Sequence, residues 1–83
     1  MKHQACLEGY TLQSLSVVIG DLRYDSLAEF LHYLSEKLAK DALADEGRNR
    51  QKLAHELHEA AENTRRAAES IAEAWKISEP FMH

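Results

Sequence analysis

A single cysteine, Cys6, stands in 83 residues, so no intrachain disulfide can staple a chain of this size. Proline occurs once and glycine three times, too few for the many tight turns of an all-β protein. No aliphatic run exceeds Val17-Val18-Ile19, far short of the ~20 residues that span a bilayer. The first six residues lack the apolar centre of a secretion signal. The expectation is a cytoplasmic protein without membrane association. There is no basic half either. Residues 1–46 hold four Lys or Arg against eight acidic groups, and 47–83 hold six of each, so the footprint of a nucleic-acid binder is missing.

What is present is helix-forming sequence. Charged residues at 29% and hydrophobic ones at 45% give an ordinary globular balance rather than that of a disordered chain. The length suits one small domain, with 1–10 and 79–83 expected to be loose tails.

Three helical segments follow from apolar spacing. Leu12, Leu15, Val18, Ile19 and Leu22 recur at steps of three and four, which predicts a short helix over about 11–22. Thr11 is its candidate N-cap. Leu15, Val17 and Ile19 also alternate as a strand would, but a helix accounts for more of the apolar positions. Ser26 and Glu29 form a capping box that opens a second helix over about 26–46, striped by Leu27, Phe30, Leu31, Leu34, Leu38 and Ala42. Gly47 is its candidate left-handed terminator.

A third helix over about 49–78 is free of Gly and Pro and rich in strong helix formers. Leu53, Leu57, Ala60, Thr64, Ala67, Ile71 and Ala74 make a heptad-like seam along it, and Pro80 ends it. At about 100° per residue the second and third stripes are out of phase by roughly 90°. One unbroken rod would therefore twist its apolar face away from itself. A turn near Gly47 removes the conflict and makes the two helices antiparallel neighbours. The fold class is thus all-α, an antiparallel hairpin with a short N-terminal helix. That first helix is expected to fold back on the end of the third, placing Trp75 and Ile71 near Tyr24, Leu22 or Val18.

Beside the third helix's seam runs a second row, Ala54, Ala61, Ala68 and Trp75, spaced by sevens. The combined face is wider than a two-helix contact requires, and a monomeric hairpin of this composition is short of core. The sequence reading therefore expects a homodimer, two hairpins forming a helical bundle. Its interface would use Ala54, Ala60, Ala61, Ala67, Ala68 and Trp75.

No pattern demands catalysis. Phosphate loop, nucleophile elbow and paired-cysteine zinc motifs are all absent, so the chain is expected not to be an enzyme and to need no cofactor or metal. Glu29-x-x-His32 and the group His55, His58 and Glu59 resemble carboxylate–histidine metal spacing. By helical phase, however, they point away from the apolar stripes. Arg48, Arg50 and Lys52, with Arg65 and Arg66, are the residues a DNA-binding regulator would use, against an unfavourable net charge of −4. Phe81 and Met82, after the helix stop, are expected to fold back and shield Trp75. The function that remains is a protein–protein interaction module, an adaptor or regulatory protein whose first partner is a second copy of itself. A metal-binding bundle, a DNA-binding regulator and a subunit of a larger complex are the alternatives.

Overall fold

The computed structural model describes residues 6–81. Its elements in order are β1 (Cys6–Leu7), β2 (Tyr10–Thr11), α1 (Leu12–Gly20), α2 (Tyr24–Gly47), α3 (Gln51–Ser78) and a closing 3-10 turn (Glu79–Phe81). Two long helices packed as a hairpin dominate, as the phase argument requires.

The seam of that hairpin is built from small residues. The buried positions of α2 include Ala28, Ser35 and Ala42, and those of α3 are Ala54, Ala61 and Ala68. Both sets step by seven, the repeat that keeps one row facing a partner helix. They also share a centre. Ala42 and Ala54 lie six residues either side of Arg48, Ser35 and Ala61 thirteen, Ala28 and Ala68 twenty. In an antiparallel pair this places like opposite like. Side chains this short let the two backbones approach closely. The Ser35 hydroxyl donates to the His32 carbonyl at 2.6 Å, so its burial leaves no polar atom unsatisfied.

The turn is a helix-ending motif rather than a glycine hinge. Gly47 stays helical, and the left-handed residue is Asn49 at φ 61°, the non-glycine type that best tolerates it. The Arg50 amide bonds the Asp45 carbonyl at 2.9 Å and the Asn49 amide that of Glu46 at 3.0 Å, the two bonds of a Schellman ending. The Asp45 carboxylate, itself buried, meets the guanidinium of Arg50 at 3.4 Å and of Arg48 at 3.7 Å. Asn49→Val is expected to destabilise the hairpin by about 1–2 kcal/mol through the left-handed backbone, and Asn49→Gly is not. Thermal melts of the two variants check this; equal melting temperatures would contradict the assigned ending.

Other expectations are corrected at the helix ends. The Ser26–Glu29 capping box does not form, because α2 starts two residues earlier at Tyr24 with Arg23 as its N-cap residue. The Asp25 carboxylate instead accepts from the Ser26 amide at 2.8 Å and binds Arg23 through two oxygens at 2.7 and 2.8 Å. Thr11 does cap α1, its hydroxyl accepting from the Ser14 amide at 3.1 Å.

The stretch read as a loose N-terminal tail contains β1 and β2, paired antiparallel with Leu7 opposite Tyr10. Glu8 and Gly9 between them both have positive φ, 50° and 86°, as a two-residue hairpin turn requires. Glu-Gly is a weak form of that signal, which Asn-Gly would have made plain. At the other end, the expected fold-back of Phe81 is not seen: it is 84% exposed. Met82 lies outside the described residues.

The first helix does not fold back either. α1 packs on β1 and β2 and makes no substantial contact with α2 or α3. The aromatic surface expected to receive it is taken by Arg23, whose guanidinium carbon sits 5.2 Å from the Trp75 ring centroid. Arg23 is held there by its hydrogen bonds to Asp25, which, with the attraction between the two charges, raise the guanidinium's proton affinity and hold the Asp25 carboxyl below its ordinary pKa.

Candidate functional site

The seam divides the hairpin into two faces of opposite character. One side is polar. A groove of about 250 Å³ runs along it, lined by His32, Ser35, Glu36, Ala39, His58, Ala61, Glu62 and Arg65. Its charges are mutually satisfied. Arg65 binds Glu62 and reaches Glu69 at 2.7 Å, and this bonding holds the Glu62 carboxyl below its ordinary pKa. His58 Nε2 lies 2.5 Å from Glu46 Oε1, tying the end of α2 to α3. His32 Nε2 lies 3.5 Å from Glu36 Oε1.

The other side is apolar. On α2 it carries Leu27, Phe30, Leu31, Leu34 and Leu38; on α3 it carries Leu53, Leu57, Ala60, Thr64, Ala67 and Ile71. These positions flank the buried small residues on the side away from His32 and His58, by the same helical phase. Near the turn this side opens into a groove of about 380 Å³ whose apolar lining is Ala44, Leu53 and Leu57, beside Asp41 and Asp45. Leu34, Phe30 and Leu53 are 38–46% exposed. Among the described residues the only buried hydrophobic side chains are alanines. The leucines flank the seam; they are not enclosed by it.

The residues the sequence reading assigned to an interface therefore separate. Ala54, Ala61 and Ala68 are 1%, 7% and 7% exposed beneath the chain's own α2, so the alanine row is not the free surface. Trp75 is half-buried at the Arg23 clasp. Ala60 and Ala67 do lie on the open apolar side, half-buried and exposed respectively. The row expected to close the hairpin flanks the joint instead, with Leu57, Ala60, Thr64, Ile71 and Ala74 half-buried and Leu53 and Ala67 exposed. The signal that distinguishes the two rows is the matching Ala28, Ser35 and Ala42 on α2, which share the period and the centre of the α3 alanines.

The candidate metal residues are not gathered. Glu29 lies beside His32 along the polar side, while His58 pairs with Glu46. Among the described residues no three His, Cys, Asp or Glu side chains come close enough to hold an ion. Of the candidate DNA-contacting cations, Arg48 and Arg50 share Asp45, Arg65 sits between Glu62 and Glu69, and Arg66 reaches Glu62 at 3.6 Å. No described helix is long and apolar enough to cross a membrane.

Neither a protein-family model nor a curated protein nor a solved structure matches the chain at a significant level.

Proposed function

We propose that the protein is a non-enzymatic helical interaction module, an adaptor or regulatory protein, and that it works as a homodimer in which the leucine sides of two hairpins meet to form a helical bundle. The observation that carries this reading is the one-sided apolar surface along α2 and α3. Its area supports it. The chain exposes 6698 Å², whereas a folded monomer of 9.5 kDa exposes about 5,000 Å². The excess, on the order of 1,600 Å² per chain, is that of an elongated chain with more open surface than a compact monomer of its mass. The shape agrees: the radius of gyration is 15.2 Å against about 12 Å for a compact domain of this length.

Self-association is favoured over an unrelated partner because one two-fold operation covers both copies of the same patch. The carboxylates beside the arginines speak against a role on DNA, since Asp45, Glu62 and Glu69 offset the positive charge a phosphate backbone would need. A lone cysteine suits a reducing compartment, and we place the module in the cytoplasm. Sedimentation velocity of the full chain tests the proposal. A dimer persisting at low micromolar concentration is expected; a single monomeric species at high micromolar concentration overturns it.

A further inference from the structure

We infer that the two hairpins of the dimer face each other with their turns at the same end, each α2 packed on the partner's α3, so that the leucines of one helix enter the alanine row of the other. The inference rests on the homodimer proposed above and fixes which helices meet in it. A two-fold axis can relate two facing hairpins in two ways. An axis along the helices stacks α2 on the partner's α3 and keeps both turns at one end. An axis across them stacks α2 on α2 and α3 on α3, and sends the turns to opposite ends.

The two helices are unequal where a second copy would touch them. On α2 the outer row of the leucine side carries Leu27 and Leu34, with Phe30 beside them; on α3 the matching row carries Ala60, Ala67 and Ala74. Packed helix axes lie about 8–10 Å apart, according to the side chains between them. Like on like would set leucines against leucines on one flank and alanines against alanines on the other. Two hairpins with closely joined helices cannot hold both spacings at once. Unlike rows give each contact between layers one large and one small partner.

The heights of the residues agree. Rotation about an axis along the helices shifts no residue along it, so distance from Arg48 decides what each side chain meets. Leu34 is fourteen residues from Arg48, between Ala60 at twelve and Ala67 at nineteen. Leu27 is at twenty-one, between Ala67 and Ala74 at twenty-six. Near the turn the sizes exchange, and Leu53 at five meets Ala44 at four. Charge follows the same order. Lys37, bonded to Asp41 at 2.5 Å, is at eleven and Glu56 at eight, about 4.5 Å apart along the axis. By helical phase both flank the contact between layers, which puts Lys37 within reach of the partner's Glu56. Turns at opposite ends, with the hairpins fully overlapped, would instead set Asp41 on the partner's Leu27.

Double electron–electron resonance on the full-length chain tests this. Cys6→Ser removes the native thiol, and a nitroxide is placed singly at Gln51→Cys beside the turn or at Lys76→Cys near the open end. Both sites are exposed and lie on the polar side, away from the contact. Intermolecular distances below about 35 Å at both sites are expected from the packed dimensions; distances above about 40 Å at both place the turns at opposite ends and overturn the inference while the dimer stands. A protein that sediments as a monomer removes the dimer itself. Charge exchange gives a second measurement. Lys37→Glu and Glu56→Lys are each expected to raise the dimer dissociation constant by about two- to tenfold, and the double variant to return it towards wild type. A double variant that associates no better than either single one overturns the inference.

Discussion

Ala42→Leu is expected to lower the melting temperature by about 5–20 °C. Ala42 is 0% exposed and sits opposite Ala54 where the two helices are closest to their connection. Leucine adds three carbons at a position where both facing side chains end at Cβ. The helices must separate, or the new side chain must leave its preferred rotamer. Overpacking of this kind costs about 1–3 kcal/mol. In a domain of this size each kcal/mol is worth about 4–8 °C. The effect is amplified by the way the seam is made. Small residues gain little area individually at about 25 cal/mol per Å², so hairpin stability depends on close approach along the whole row. Thermal denaturation followed by circular dichroism measures it. A variant that melts with wild type would show that the helices are not held at short distance by this row.

The same seam explains how far the sequence could be read. The hairpin was legible because large aliphatic residues repeat at helical spacing on both sides of residue 47 and their phases conflict in a continuous rod. The third helix ends at Ser78 as expected because Pro80 cannot continue it. The choice of row was not legible from the same pattern. Leu53, Leu57 and Ile71 mark an apolar face, but periodicity does not say which surface will cover it. Alanine is ambiguous in a second way, being both the best helix former and the smallest side chain with a Cβ. Ala54, Ala61 and Ala68 therefore read as a leftover strip when viewed on α3 alone. Only comparison with Ala28, Ser35 and Ala42, positioned symmetrically about Arg48, identifies them as one half of a joint. The start of α2 was missed for a different reason. Asp25 resembles a residue outside the helix, yet its bonds to Arg23 and to the Ser26 amide let the helix begin before the capping box. Asn49 was overlooked because Gly47, two residues earlier, is the more familiar left-handed residue.

Leu34→Glu is expected to separate folding from association, which Ala42→Leu cannot do. Leu34 lies on the leucine side of α2, off the seam, and is 38% exposed within the single chain. Glutamate is as good a helix former as leucine, so α2 persists and the small-residue joint is untouched. In the dimer the situation differs. Burying the part of Leu34 that the single chain leaves exposed is worth about 0.6–1.1 kcal/mol, and two-fold symmetry removes that contribution twice per dimer. Two carboxylates would also lose hydration without a partner, a further cost. A total above about 3 kcal/mol corresponds to more than a hundredfold in dissociation constant, enough to leave a folded monomer at concentrations where the wild type is paired. Sedimentation velocity with circular dichroism on the same samples reads both quantities. A Leu34→Glu protein that keeps its helicity and sediments as a monomer supports the leucine side as the interface. One that associates as tightly as wild type would place the contact elsewhere, because no packing of the two leucine sides can bury a pair of unpaired charges without loss.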